Sequence, residues 1–216
     1  MTAMPSREGQ LAALLAAGRV IPVITLDRLA DAVPLARALV AGGVRVLEVT
    51  LRTPAGLSGA QAIMREVPDA IVGIGTVLTP GDLRRAVDAG ARFALTPGAT
   101  PALLDAAATA PIPFLPGIAT ASELMEAMVR GFTTAKFFPA TAAGGLAALR
   151  ALAGPFPQAR FCPTGGITEG NAAEWLAQPN VVAVGGSWLT PAAEVAEGRW
   201  DVIQERAGRT RAMLGG

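Results

Sequence analysis

Apolar runs of strand length alternate along the chain with alanine- and leucine-rich stretches of helical length. The runs predict eight strands, beginning near Val20, Val44, Ala70, Phe93, Pro113, Thr134, Arg160 and Val181. The stretches between and after them predict helices over residues 30–41, 58–66, 81–89, 102–108, 122–130, 146–153, 170–177 and 200–213. Consecutive strands begin about 20 to 26 residues apart, which is the length of one strand–helix unit. Eight such units predict an α/β fold, a (β/α)8 TIM barrel.

The segment before the first strand predicts one extra N-terminal helix, which would cover the bottom of the barrel. Residues 11–17 are apolar and Ser6 is a candidate N-cap. The acidic Glu8 before this run and Arg19 after it argue against a signal peptide. An open doubly wound sheet is the alternative architecture, but no G-x-G-x-x-G motif follows the first strand. We therefore expect a single barrel domain over residues 1–216.

Composition removes several classes of function. The net charge is +1 and the charges are scattered, which predicts no nucleic-acid partner and no anionic membrane surface. No run approaches the roughly 18 uninterrupted apolar residues of a membrane span, so the cytoplasm is the expected location. The chain has no histidine and no tyrosine, which excludes histidine-ligated metals and a Ser-His-Asp triad. The single Cys162 allows no internal disulfide and no cysteine-based metal site, and we expect it to pack against a helix.

Lysine is almost absent from this chain. Seventeen of the eighteen basic residues are arginine, and the one lysine, Lys136, lies in an apolar run that predicts a buried strand. A buried amine can lose its proton and attack a carbonyl to form a Schiff base, whereas a guanidinium cannot. A leftover lysine in an arginine-rich chain is the alternative, but lysine is rarely buried without a partner. Lys136 is therefore a candidate nucleophile.

The second predicted strand carries charges on its inward face. Its period of two places Glu48 and Arg52 on the same side as Val46 and Thr50, pointing into the barrel. A structural ion pair between Glu48 and Arg52 is one interpretation. Convergence with Lys136 on one cavity favours chemistry instead, because buried charges are costly.

The other strand ends supply small residues. The third strand ends Gly73-Ile74-Gly75-Thr76, where a ligand could approach closely, while Pro97 and Pro116-Gly117 are expected to contribute shape. Glycine pairs follow the last two strands, at 165–166 and 185–186. They match the usual barrel phosphate site, and Thr168 and Asn171 are candidate caps of the helix that follows the first pair. Together with Lys136 they indicate a phosphorylated carbonyl substrate. Packing or a subunit interface is expected for Trp175, Trp188 and Trp200.

Five segments, at residues 45–53, 75–78, 136–140, 161–167 and 185–189, resemble the 2-keto-3-deoxy-6-phosphogluconate (KDPG) aldolases. The resemblance extends from about residue 20 to residue 191, with the motifs in order on successive strand ends. It implies a class I aldolase that acts on a phosphorylated 2-keto acid, yielding pyruvate and glyceraldehyde 3-phosphate. It also implies a homotrimer of barrels with no metal and no organic cofactor.

The resemblance also implies roles for individual residues. Lys136 would be the Schiff-base lysine and Glu48 the general acid/base. Contacts to substrate would come from Arg52 and Thr76 (pyruvate carboxylate), Gly165, Gly166, Gly186 and Ser187 (phosphate), Thr164 (sugar hydroxyls), and Pro97 and Phe138 (pocket shape). One departure is Thr141, where many relatives carry an acidic residue, and it puts the detail of that loop in doubt.

Several alternatives stay open on the sequence. The 4-hydroxy-2-oxoglutarate aldolases share these motifs, and galactonate-series aldolases differ in C4 stereochemistry, which a single sequence does not resolve. A phosphosugar isomerase or epimerase could use the same barrel with Glu48 as base, and would not need Lys136. A non-catalytic phosphosugar-binding barrel would explain the glycines but not the three converging charged residues.

Overall fold

The computed structural model describes residues 6–213, so the outer limits of the predicted domain lie outside this range. The strands are β1 (Val20–Ile24), β2 (Val46–Thr50), β3 (Ile71–Gly75), β4 (Phe93–Leu95), β5 (Phe114–Leu115), β6 (Gly117–Ile118), β7 (Thr134–Phe137), β8 (Arg160–Phe161) and β9 (Val184–Gly186). The helices are α1 (Arg7–Ala17), α2 (Ala32–Ala41), α3 (Ala55–Glu66), α4 (Pro80–Asp88), α5 (Pro101–Thr109), α6 (Ala121–Val129), α7 (Gly145–Ala153), α8 (Ala172–Leu176), α9 (Ala192–Ala196) and α10 (Trp200–Met213), with a 3-10 turn at Leu29–Asp31.

The strands form a closed parallel barrel, which confirms the predicted fold. One sheet has the order β5-β4-β3-β2-β1-β9 and the other β6-β7-β8. Pro116 separates β5 from β6, and these two short strands together occupy the fifth position of the ring. Parallel bridges at Phe161–Val181 and Thr164–Gly185 join β8 to the segment that ends in β9.

Alternation along the strands divides the core into two clusters. The outer cluster lies between strands and helices and includes Val20, Ile24 and Leu47. The inner cluster fills the lower barrel. It includes Ile21 and Val46, which are each one position along the strand from a residue of the outer cluster. Its further buried members are Leu11, Leu15, Phe93, Leu95, Leu115, Cys162 and Ala183. Cys162 thus lies inside the barrel rather than between a strand and an outer helix, because position 162 shares the inward face of its strand.

The N-terminal helix forms the floor of the barrel, as predicted. Ser6 caps α1 by accepting a hydrogen bond from the Gly9 N–H at 3.1 Å, and Leu11 and Leu15 are buried beneath the inner cluster. One oxygen of Glu8 accepts hydrogen bonds from three donors at the start of β7, the backbone N–H groups of Thr133 and Thr134 and the Thr133 hydroxyl. These contacts attach the helix to the barrel wall.

Some predicted boundaries were wrong. The second strand begins at Val46 rather than near Val44, and the last begins at Val184 because Val181 makes only an isolated bridge. The helix expected over 170–177 has only the five residues of α8, and α9 was not predicted. Short elements such as these carry too few periodic positions to stand out in a sequence.

The loops at the carboxyl ends of the strands lead into well-capped helices. Thr79 and Thr120 begin α4 and α6 with capping boxes, in which the Asp82 and Glu123 carboxylates accept hydrogen bonds from the N–H groups of these caps. The Thr100 hydroxyl caps α5 by accepting from the Leu103 N–H, and a proline follows at the first helical position.

Within residues 6–213, no helix is long and apolar enough to cross a membrane.

Candidate active site

A buried ion pair occupies the centre of the barrel. Lys136 on β7 and Glu48 on β2 project from opposite sides of the ring, and their side chains are 3% and 1% exposed. The Lys136 Nζ donates to Glu48 Oε1 at 3.0 Å and lies 3.3 Å from Oε2. The same Nζ is 5.6 Å from the ring centroid of Phe138. Removing two charges from water is expensive, so a pair at this depth is weak evidence for a stabilising role and stronger evidence for chemistry.

Glycines on β3 make room for the barrel's own side chains. A Cβ at Gly75 would lie 2.2 Å from Glu48 Oε1, and a Cβ at Gly73 would lie 2.4 Å from the Phe93 ring. The sequence predicted that these small residues admit a ligand. The space directly above them is instead filled by Glu48 and Phe93, and Gly75 thereby sets where the carboxylate lies.

Thr76 follows β3 with an unusual backbone. Its φ of +59° makes it the one non-glycine residue with positive φ between residues 6 and 213. A β-branched residue in the left-handed region is strained by about 1–3 kcal/mol, and such strain clusters at functional sites. Thr76 is half-buried at the end of the barrel where Glu48 and Lys136 meet.

Arg52 lies beyond the end of β2, in the turn that leads to α3, and is exposed. The predicted alternative of a Glu48–Arg52 ion pair is wrong, since Glu48 pairs with Lys136. Within the described part of the chain, Arg52 makes neither an ion pair nor a side-chain hydrogen bond. Its side chain lines a cavity of about 360 Å³ together with Leu57 and Arg85, so this guanidinium is available to an anion.

The first glycine pair is held against the segment that follows β7. Gly165 and Gly166 have φ values of +96° and +80°. The Thr141 N–H donates to the Gly165 carbonyl at 3.0 Å, and the Ala140 N–H donates to the Thr164 carbonyl at 2.7 Å. A Cβ at Gly166 would meet the Thr141 hydroxyl oxygen at 2.2 Å. Thr141, known from sequence only as a departure from the family, therefore contacts the glycine loop directly.

The second glycine pair lies beside the first. Thr164 and Gly185 are bridge partners, and a Cβ at Gly185 would be 2.4 Å from the Thr164 hydroxyl oxygen. The Trp188 ring covers Gly186, where a Cβ would be 1.8 Å from the ring, and Ser187 is exposed between them. The structure thus brings together the two loops that the sequence predicted as a phosphate site.

The predicted helix caps after the first loop act differently. The Asn171 side chain accepts from the Thr168 N–H at 2.8 Å and donates to the Gly166 carbonyl at 3.1 Å. It therefore holds the loop together by hydrogen bonds rather than capping α8.

Pro97, predicted to shape the pocket, is half-buried. A Cβ at Gly117 would lie 2.3 Å from the Pro97 carbonyl carbon.

Comparison with known proteins decides the family. A sequence model of the family "Aldolase: KDPG and KHG aldolase" matches residues 11–206. The chain belongs to this aldolase family.

Individual relatives cover almost the whole length. The chain is 54% identical over 194 residues to the KHG/KDPG aldolase of Escherichia coli K12, covering 90% of this chain and 91% of that one. It is 54% identical over 190 residues to a 2-dehydro-3-deoxy-phosphogluconate aldolase of Dickeya dadantii, covering 88% and 89%. These similarities make the protein an aldolase, a carbon–carbon lyase.

Solved structures of the aldolase family share the fold. KDPG aldolase from Legionella pneumophila, with pyruvate captured as a covalent carbinolamine, superposes with a TM-score of 0.90 at 49% identity, covering 92% of this chain and 97% of that one. The Zymomonas mobilis ZM4 enzyme with 3-phosphoglycerate gives 0.87 at 44% identity, covering 93% and 94%.

Cys162 lies inside the barrel, level with Lys136 on the neighbouring strand. Burial raises the pKa of its thiol to about 12, although the nearby Lys136 acts to lower it. Such a thiol is protonated at neutral pH and is a poor nucleophile. Trp175, Trp188 and Trp200 pack against the outer cluster, in agreement with a packing role.

Two hydroxyls at the barrel mouth had no role in the sequence prediction. Thr25 follows β1, and Thr50 ends β2, with their oxygens 3.3 Å apart. The period-two pattern of β1 could have identified Thr25 as inward-facing, because Ile21 and Val23 alternate with outer-cluster residues.

Proposed function

We propose that this protein cleaves KDPG to pyruvate and glyceraldehyde 3-phosphate through a Schiff base on Lys136. The observation that carries the proposal is the buried contact of 3.0 Å between Lys136 Nζ and Glu48 Oε1 at the barrel centre. Support also comes from relatives named as KDPG aldolases, which are 54% and 51% identical to this chain over most of its length.

The contact between the two side chains supplies a route for protons. When Lys136 gives a proton to Glu48, the neutral amine attacks the C2 ketone of the substrate to form a carbinolamine. Glu48 then protonates the departing hydroxyl, and water leaves as the iminium forms. A single carboxylate that alternates as acid and base contributes roughly 10²- to 10⁴-fold to such steps.

Cleavage uses the same pair. Glu48, again ionised, removes the proton of the C4 hydroxyl, the C3–C4 bond breaks, and its electrons pass into the iminium to give an enamine. Glyceraldehyde 3-phosphate departs. Protonation of the enamine at C3 and hydrolysis of the resulting iminium release pyruvate and restore the Lys136 amine.

The surrounding residues receive their proposed roles from position and chemistry. Arg52 and Thr76 would hold the pyruvate carboxylate, which is consistent with the unpaired guanidinium and the strained backbone. The phosphate would bind at Gly165, Gly166, Gly186 and Ser187, with Thr164 on the sugar hydroxyls and Pro97 and Phe138 shaping the pocket. Two adjacent glycine loops, where a ligand can approach the backbone N–H groups closely, suit a phosphate.

A second candidate substrate is 4-hydroxy-2-oxoglutarate. The E. coli relative is named for both substrates, and the cleavage chemistry is the same. A phosphosugar isomerase would need Glu48 alone and would leave Lys136 without a purpose.

Treatment with pyruvate and borohydride tests the Schiff base directly. We expect reductive attachment of pyruvate at Lys136, located by peptide mapping, and loss of both labelling and cleavage in Lys136→Arg. The N-terminal amine is the competing site, and its peptide is the internal control. Cleavage retained by folded Lys136→Arg, or no adduct on Lys136 in the folded wild type, would reject the mechanism.

We further propose a homotrimer located in the cytoplasm. Support for self-association comes from α6, where Met125 and Val129, one turn apart, are 56% and 83% exposed. Apolar side chains exposed in a cluster mark contact surfaces more often than isolated ones do.

A further inference from the structure

Thr25 directly follows β1 at the barrel mouth and continues the inward face of that strand. Ile21 belongs to the inner cluster, whereas Val20 and Ile24 belong to the outer one. Odd-numbered positions of this strand therefore point inward, and Thr25 is the next of them. The pairing of Ile24 with Val49 puts Thr25 at the level of Thr50, two residues beyond Glu48 toward the mouth. Thr25 is exposed.

The hydrogen-bond partners around Thr25 determine whether its hydroxyl donates or accepts. The Thr50 hydroxyl lies 2.9 Å from the Ile24 carbonyl and 3.3 Å from the Thr25 hydroxyl oxygen. A carbonyl can only accept, so the one proton of Thr50 is used there, and Thr25 must donate to Thr50. Within residues 6–213, Thr25 has no other side-chain hydrogen bond. It therefore offers the mouth only lone pairs.

The place of β1 in the ring puts this acceptor beside the path of the substrate. β1 pairs with β2, which carries Glu48, and on its other side with β9, where Pro22 is opposite Gly186. A substrate that reaches from the Lys136–Glu48 pair to a phosphate at Gly186 passes the mouth end of β1.

We propose that Thr25 accepts a hydrogen bond from the C5 hydroxyl of KDPG, between C4 and the carbon that carries the phosphate, and that it selects against a carboxylate at this position. This inference rests on the proposed function. In KDPG, C5 carries a hydroxyl, which can donate. In 4-hydroxy-2-oxoglutarate a carboxylate follows C4, and a carboxylate has no proton to give to an acceptor. Thr25 thus favours the phosphorylated sugar acid over the dicarboxylate.

The test compares both substrates in wild type, Thr25→Val and Thr25→Ser. Thr25→Val keeps the branched shape and removes the acceptor, so kcat/KM for KDPG should fall roughly 5- to 30-fold, the effect of leaving one polar group unpaired. The value for 4-hydroxy-2-oxoglutarate should stay within about 2-fold, because no bond to Thr25 is lost. Thr25→Ser keeps the hydroxyl and should retain the wild-type ratio.

Two results would overturn the role of Thr25: an unchanged substrate ratio in Thr25→Val, or a serine variant that behaves like the valine variant. Pyruvate labelling of Lys136 in each variant separates this failure from a failure of the proposed function. If the variant enzymes are labelled but Thr25→Val keeps the wild-type ratio of kcat/KM for the two substrates, only the inference about Thr25 is rejected. If the wild type is not labelled and cleaves neither substrate, both the inference about Thr25 and the proposed function are rejected.

Discussion

At the scale of single residues, a missing side chain determines the position of a reactive one. The reactive side chain is that of Glu48, on the strand β2 next to Gly75. The bare Cα of Gly75 lets its carboxylate settle over β3, where a Cβ would be 2.2 Å from Oε1. From that position the carboxylate reaches Lys136 on the opposite wall.

We predict that Gly75→Ala lowers kcat strongly while the barrel stays folded. The added methyl pushes the Glu48 carboxylate away from Lys136, so the loss should approach the roughly 10²- to 10⁴-fold expected for removing an acid/base group. Steady-state cleavage rates with circular dichroism as a folding check would measure it.

Gly154→Ala is the matched control for that variant, since nothing lies within 4 Å of a Cβ at Gly154 and its φ is −62°. It should retain wild-type activity. Full activity in Gly75→Ala would mean that the carboxylate position is not critical.

At the scale of elements, an ion pair attaches the last two helices to each other. Glu194 on α9 contacts Arg206 on α10 through both carboxylate oxygens, at 2.5 and 2.7 Å. The hydrogen bond from Arg206 is the main cause that holds the pKa of the Glu194 carboxyl below its ordinary value of 4.5. Bidentate Arg–carboxylate pairs are the stronger kind of surface ion pair.

This lowered pKa predicts an acid-dependent loss of stability. A carboxyl with a lower pKa in the folded state binds its proton more readily when unfolded. Its contribution is therefore complete above the unfolded-state pKa, near 4.5, and is lost as the pH falls through the folded-state value. In Glu194→Gln the free energy of unfolding should depend less on pH in this range. Urea unfolding at a series of pH values would measure it.

Glu197→Gln provides the comparison, because it removes a carboxylate at the C-terminal end of α9. The Glu197 side chain contacts Arg199 and is 60% exposed. Its stability should follow the wild-type pH dependence. A Glu194→Gln curve parallel to that of the wild type would show that the α9–α10 pair does not contribute.

At the scale of the whole molecule, α6 presents the apolar surface on which the proposed trimer depends. Val129→Arg introduces a charge at a side chain that is 83% exposed in the single chain. The fold should tolerate it, whereas a subunit contact should not, because an unpaired buried charge is costly. We expect the mass in light scattering to fall from that of a trimer to that of a monomer.

Leu29→Arg makes the same kind of change at another exposed apolar residue, 50% exposed and outside α6. This variant should remain trimeric. A wild type that is already monomeric, or a trimeric Val129→Arg, would contradict the proposed interface.

The sequence by itself determined the barrel, its floor helix and the inward face of β2. Alternation and the repeated strand–helix length are local properties, and they specify which residues face a core before any tertiary contact is known. The single Lys136 in an apolar strand could be recognised for the same reason, as could the glycine pairs at 165–166 and 185–186.

Only the tertiary structure decided which partners meet. Glu48 is bonded to Lys136 rather than to Arg52, because closing the ring brings β2 and β7 face to face while Arg52 falls past the strand end. Cys162 lies inside the barrel, and the Thr25 and Thr50 hydroxyl oxygens lie 3.3 Å apart, for similar reasons. These facts depend on register and closure between segments distant in the chain, which local periodicity does not encode.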